Sequence, residues 1–209
     1  KGTFSGGTLK SAIGAFEDFS EEMIWDPKYK FGTETFEGIH RQKSIGKWAV
    51  PMPVVDPLIV SRSARARNDI YGNNFSYAQY FAVKQPLMVA GAFLGISALM
   101  IATQIPILKK QLLNYRVSGQ GPSKEERDKS FFKLVFIGKS SNKTVKTSVS
   151  GGDPGYTETA KMLSEAALTI INNPEEFKGK GGVMTPAGAL GEKYLERLIA
   201  QGIQFNQLK

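Results

Sequence analysis

Four side chains of this 209-residue sequence could move a proton: Asp56, Asp153, Tyr156 and the single histidine, His40. General acid–base chemistry needs a group that titrates near neutral pH or is brought there by its surroundings. Each of the four also has a plainer role. Asp153 stands just ahead of a helical pattern and reads first as the cap of that helix. His40 sits in the polar stretch Gly38-Ile39-His40-Arg41-Gln42 and reads as an exposed histidine. The residue types alone assign no catalytic residue. The sequence has no cysteine, which excludes disulfides, thiolate metal ligands and a thiol nucleophile. One histidine is too few for a histidine-rich metal site, and no G-x-S-x-G elbow accompanies it, so no metal site or serine triad is expected.

Three glycine-bearing loops run into helical patterns: Thr3-Phe4-Ser5-Gly6-Gly7-Thr8, Gly151-Gly152-Asp153-Pro154-Gly155-Tyr156 and Gly181-Gly182-Val183-Met184-Thr185-Pro186. A loop entering a helix can offer free backbone N–H groups and a partial positive charge to an anionic ligand. Taken singly, each reads first as a tight turn with a helix cap. None is a dinucleotide fingerprint. G-x-G-x-x-G does not occur between a strand and a helix, Gly119-Gln120-Gly121 is followed directly by proline, and no G-x-x-x-x-G-K-[ST] loop is present.

The elements that must position these loops follow from periodicity. Leu9, Ile13 and Phe16 mark a helix after Thr8 as N-cap, and residues 20–44 read as loops around short elements. Residues 45–50 and 54–61 read as strands separated by Pro51 and Pro53. Residues 131–137 and 144–149 read as a hairpin, with Phe132, Leu134 and Phe136 on one face of the first strand and Val145, Thr147 and Val149 on one face of the second. Two amphipathic helices close the chain. The first places Ala160, Leu163, Ala167, Ile170 and Ile171 on its apolar face, opposite Glu158, Lys161 and Glu165, and ends before Pro174. The second starts at Thr185 and Pro186, has Ala187, Leu190, Tyr194, Leu195 and Leu198 as its apolar face, and stops at Gly202. The expected fold is α+β: a largely antiparallel or mixed sheet with packed helices, plus one long apolar helix or hairpin.

That last element comes from residues 85–108, 24 residues without a charge between Lys84 and Lys109–Lys110. Leu87, Gly91, Phe93, Gly95, Leu99 and Ile101 typify it, and Gly91-Ala92-Phe93-Leu94-Gly95 is a G-x-x-x-G. Pro86 and Pro106 bracket 19 residues, about 28 Å as a helix, near the hydrocarbon thickness of a bilayer. The segment reads as inserting into a membrane or lipid surface, ahead of a helix buried in the protein or against a partner. The net charge of +8 is scattered, with Arg62, Arg65 and Arg67 the densest cluster. No nucleic-acid motif surrounds them, so a nucleic-acid partner is not expected.

Several strings recur in a known order: Gly7-Thr8-Leu9-Lys10-Ser11-Ala12, DPLIVSR at 56–62, Gly119-Gln120-Gly121-Pro122-Ser123, SGGDPGY at 150–156 leading into Thr159-Ala160-Lys161-Met162, GGVMTP at 181–186, then Glu196-Arg197-Leu198 and Gly202-Ile203-Gln204-Phe205. In this order they resemble the C-terminal half of the saccharopine dehydrogenase-like oxidoreductases, most tightly over residues 119–205. The resemblance implies that residues 1–209 form a C-terminal substrate- or dimerisation-type domain, with an upstream Rossmann domain of the same protein holding NADP or NAD. NADPH is the cofactor favoured by the resemblance, and none is expected on this chain alone. Lys1 is not methionine, so the expectation is either an upstream segment removed or a chain beginning partway through a longer one. The resemblance also implies lipid and glycolipid synthesis, as for bacterial trans-acting enoyl reductases, and association with lipid droplets or an organelle membrane. Ser5, Gly6, Gly7, Thr8, Gly152, Asp153 and Tyr156 are the expected cofactor- or substrate-facing positions. A membrane-anchored scaffold that kept the fold without the activity is the alternative. A soluble homodimer built on the apolar helix is a third reading.

Overall fold

The computed structural model describes residues 37–51, 56–115, 121–177 and 181–208. The expected N-terminal helix with Leu9, Ile13 and Phe16, and the loop holding Ser5, Gly6, Gly7 and Thr8, lie outside them. The described residues belong to two compact units, one within residues 37–115 and one within 121–208. Together they are α+β, with one three-stranded antiparallel sheet in each unit in place of a single larger sheet.

In the first unit, β1 (His40–Gln42) and β2 (Lys47–Pro51) are joined by a short 3-10 turn, and Gly46 takes the left-handed conformation (φ 64°) that closes it. β2 then pairs with β3 (Tyr80–Val83), Trp48 opposite Val83 and Val50 opposite Phe81. Ala49, Val50 and Ala64 are buried. The strand expected at 54–61 is instead the start of helix α1 (Asp56–Ala66). The run Leu58-Ile59-Val60 suggested a strand, but helical signals override it. Asp56 sits in the first turn with Pro57 beside it, and Ser61, Ser63 and Ala64 bury one face. Ser63 back-bonds the Ile59 carbonyl at 2.8 Å, a contact only a helix provides. A one-turn helix α2 (Asn68–Tyr71) follows.

The uncharged run also differs from expectation. It is divided at Ile105, which is extended (φ −99°, ψ 113°), into α3 (Pro86–Gln104) and the charged α4 (Pro106–Tyr115). Pro106 explains the break, because proline disfavours helical geometry in the residue before it. Leu87, Gly91, Phe93, Gly95, Leu99 and Ile101 all fall in α3, whose 19 residues span about 28 Å. Among the described residues no helix is long and apolar enough to cross a membrane. A Cβ at Gly91 or Gly95 would meet no atom outside the helix's own backbone within 4 Å.

The second unit opens with the short helix α5 (Lys124–Asp128), fixed by a capping box in which Ser123 and Glu126 each accept the other's backbone N–H. The expected hairpin follows as β4 (Phe132–Lys139) and β5 (Thr144–Gly151). Leu134 pairs with Val149 and Phe136 with Thr147, so the two alternating sets share a face. β5 also pairs with the last strand, β6 (Gln204–Leu208), Ser150 opposite Gln204. Between β5 and β6 lie α6 (Thr157–Ile171), the single turn α7 (Pro174–Phe177) and α8 (Pro186–Ala200). Thr185 caps α8 by accepting the Gly188 N–H at 3.3 Å. Gly191 (φ 58°, ψ −143°) kinks the helix, a feature that periodicity did not indicate. At its end Gly202 (φ 90°) donates to the Ile199 carbonyl and Ile203 to that of Leu198. This is the double closure of a Schellman stop, with Ile203 and Leu198 both buried.

Helix α6 reverses the expected orientation. Glu158, Glu165 and Thr169 are its buried residues. Leu163 is 73% exposed and Ile171 68%, with Ile170 exposed between them. The cause is a set of polar contacts on the inner side. Glu165 pairs with Arg197 of α8 at 2.6 Å, and the Tyr194 hydroxyl donates to the Met162 carbonyl at 3.0 Å. Lys193 reaches Asn173 and also pairs with Glu176. Glu165 is only 6% exposed, so losing Arg197 would strand a buried carboxylate, which costs about 3 kcal/mol.

Candidate functional site

The loop between β5 and α6 holds three of the expected site residues, Gly152, Asp153 and Tyr156. Asp153 is buried, and its Oδ2 accepts the backbone N–H groups of Tyr156 (2.8 Å) and Thr157 (3.1 Å). The Gly155 N–H and the Ser130 hydroxyl also donate to it, and its carbonyl accepts the Glu158 N–H at 2.9 Å. Gly152 donates its N–H to Glu158 Oε1 at 3.2 Å. Asp153 is therefore the cap of α6, as its position ahead of the helix indicated. The N–H groups that a nucleotide phosphate would need at this helix start are occupied by the chain's own carboxylates, so the loop does not fit a dinucleotide phosphate.

The paired glycines lie close to side chains of β4 and α6. A Cβ at Gly151 would lie 2.8 Å from the Phe132 ring, and one at Gly152 would lie 3.0 Å from Glu158 Oε1. Glu158, 5% exposed, is held in turn by Lys161 at 2.7 Å. Tyr156 turns away. Its ring lies against Gly121, where a Cβ would meet it at 3.4 Å, and its hydroxyl is buried without a hydrogen-bond partner.

Beside this loop is an open groove of about 420 Å³, lined by Phe131, Phe132, Lys133, Ser150, Gly151, Gly152, Gly202 and Gln204. Sheet register assembles it. Lys133, Ser150 and Gln204 form one row across β4, β5 and β6, and Phe132 faces Gly151 in the next. The Ser150 hydroxyl donates to Gln204 Oε1 at 3.4 Å. The groove offers two aromatic rings, one ammonium group, a hydroxyl, an amide and bare glycine backbone. It provides no acid–base pair, since Asp153 and Glu158 are committed to backbone N–H groups and Lys161.

Of the expected residues, Gly152 lines the groove, while Asp153 caps α6 and Tyr156 lies against Gly121. Phe131, Lys133 and Gln204 were not expected. The string SGGDPGY pointed to one wall, but the pairing of β5 with β6 joins residues 54 apart and left no local signal. The other two acid–base candidates lie in the first unit. His40 Nδ1 is 2.9 Å from the Gly38 carbonyl, Nε2 is 3.3 Å from Glu37, and the ring meets Tyr80 edge-on at 5.1 Å. Asp56 serves the first turn of α1. Burial pushes the Tyr77 phenol above its usual range, and the Asp56 charge adds to that. Among the described residues no group of three or more His, Asp or Glu side chains could hold a metal ion.

Comparison with known proteins finds relatives by sequence. The chain is 26% identical, over 97% of its length, to a Mycobacterium tuberculosis protein named as a trans-acting enoyl reductase, of which the match covers 56%. It is 28% identical, over 78% of its length, to a rat saccharopine dehydrogenase-like oxidoreductase, covering 43% of it. The chain is thus similar to proteins named as saccharopine dehydrogenase-like oxidoreductases. An Arabidopsis thaliana relative, named as a mitochondrial member, is 28% identical over 80% of the chain and covered to 46%. The chain spans about half the length of these curated relatives. No protein-family model matches it, and no solved structure matches it.

The Asp153 carboxyl makes acid stability specific. Burial, the largest single influence, raises its pKa, but the hydrogen bonds from Thr157, Tyr156, Gly155 and Ser130 together outweigh it and hold it below the ordinary value of 3.8. A depressed carboxyl stabilises the fold above the unfolded pKa and loses that contribution as pH falls through the folded one. Urea unfolding from pH 7 to pH 2 is therefore expected to show lower stability for Asp153→Asn at neutral pH, with the difference from the parent shrinking below about pH 4. A constant difference across the range would show that Asp153 does not carry the effect.

Proposed function

We propose that this chain is the substrate-side half of an NAD(P)-dependent oxidoreductase acting on a hydrophobic or lipid-like molecule. The observation that carries the reading is the match over most of this chain to proteins named as oxidoreductases and an enoyl reductase, each about twice as long. The groove supports it. Phe131 and Phe132 suit an apolar body such as the enoyl chain of the mycobacterial relative's name, and Lys133, Ser150 and Gln204 suit its polar end. In this reading the chain binds, orients and shields the substrate. NADPH, or NADH, is held by a Rossmann domain upstream in the same protein and supplies the hydride.

The test is calorimetric titration of NADPH and NADH into the 209-residue chain and into a product of the relatives' length. Binding by the longer product alone is expected. No binding by either would favour the alternative of a non-catalytic scaffold, for which the full commitment of Asp153 is the supporting observation.

We further infer that the first unit contacts a lipid surface through α3. Leu87, Met88, Leu94 and Ile101 are exposed along a helix without charge, and Lys84 and Lys110 flank it. A surface-lying helix buries such side chains at the boundary of head groups and acyl chains. Flotation with vesicles containing anionic phospholipid is expected to carry the chain, and Leu94→Lys to reduce that fraction. Equal recovery with and without vesicles would remove lipid association from the account.

A further inference from the structure

Helix α6 carries an uncharged stripe that its own unit does not cover. Ala160, Leu163, Ala167 and Ile170 are all exposed and recur at three- and four-residue spacing, with exposed Ile171 beside them. This is the alternation of a helix-packing seam, small residues at every first position and large ones between. The stripe is about 15 Å long from Ala160 to Ile170. Its flanks, Thr159, Ser164 and Ala166, carry no charge on a chain whose net charge is +8. The opposite side of the helix is fixed by Glu158–Lys161 and Glu165–Arg197. Rolling the helix to bury the stripe would expose Thr169, now fully buried, and break the Glu165 ion pair. The outward orientation is therefore built in.

We infer that this stripe is the seat of the remaining half of the longer polypeptide, the portion by which the relatives exceed this chain. The inference rests on the proposed function above. The relatives are matched over 43–56% of their length, so a comparable mass of chain is available to cover the stripe. Its chemistry specifies the occupant's surface. That surface is uncharged and apolar, and it approaches closely at Ala160 and Ala167, where large side chains of the occupant fill the space left by the alanines. A contiguous apolar stripe of this kind on a folded unit marks a covered surface.

Hydroxyl-radical footprinting with mass spectrometry tests this, with free leucine as the dose reference. In the 209-residue chain Leu163, Ile170 and Ile171 are expected to oxidise at exposed-residue rates. In a product of the relatives' length the same residues are expected to oxidise on the order of tenfold more slowly. Equal oxidation in both products overturns the inference. So does protection already present in the 209-residue chain and rising with its concentration, which would make a second copy the occupant. A native gene product consisting of these 209 residues alone overturns it too. The calorimetric titration separates the two proposals. Nucleotide binding without protection would leave the function standing and remove this interface, and protection without nucleotide binding would do the reverse.

Discussion

The contact of Glu165 with Arg197 at 2.6 Å sets the architecture of the C-terminal unit. It joins α6 to α8, and the Tyr194 hydroxyl and Lys193 reinforce it on the same side. With those contacts made, α6 turns its charged face inward and its apolar stripe outward. The same orientation brings Glu158 under the β5–α6 loop, where it takes the Gly152 N–H and would lie 3.0 Å from a Cβ at that position. The groove wall, the capped helix start and the open stripe therefore share one cause. Burying charge in this way costs desolvation, and Arg197 reaches Glu165 with one terminal nitrogen while its Nε finds no acceptor. The pair specifies orientation more than it adds stability.

Much of the second unit was legible in the sequence because its signals are local. The hairpin register follows from alternation in Phe132–Phe136 and Val145–Val149. The ends of α8 follow from Thr185, Pro186 and Gly202, and the capping role of Asp153 follows from its position. The orientation of α6 was not legible. Periodicity identifies two faces but not which one is buried, and the usual rule that the apolar face turns inward fails where ion pairs hold the other. At 56–61 the run of Leu58, Ile59 and Val60 was ambiguous between strand and helix, and Asp56–Pro57 resolved it toward helix. In the uncharged run Pro86 and Pro106 bracket α3 as their positions indicated, and the residues after Pro106 form a second helix.

The candidate site was half legible. Gly152 belongs to it, and SGGDPGY marked its position. Lys133 and Gln204 join only through sheet pairing between distant strands, which no window of sequence reports. Asp153 takes the plainer of the two roles the sequence offered, the cap of α6, which leaves the loop as one wall of the groove.

The orientation of α6 is the central claim, and a sequence without cysteine allows it to be measured directly. Single cysteines at Leu163, Thr169 and Ile171 would be reacted with a soluble maleimide under native conditions. The account predicts fast labelling of Leu163→Cys and Ile171→Cys and slow labelling of Thr169→Cys, in keeping with 73%, 68% and 0% exposure. Fast labelling at Thr169→Cys with protection at Leu163→Cys and Ile171→Cys would contradict it and return the apolar stripe to the interior.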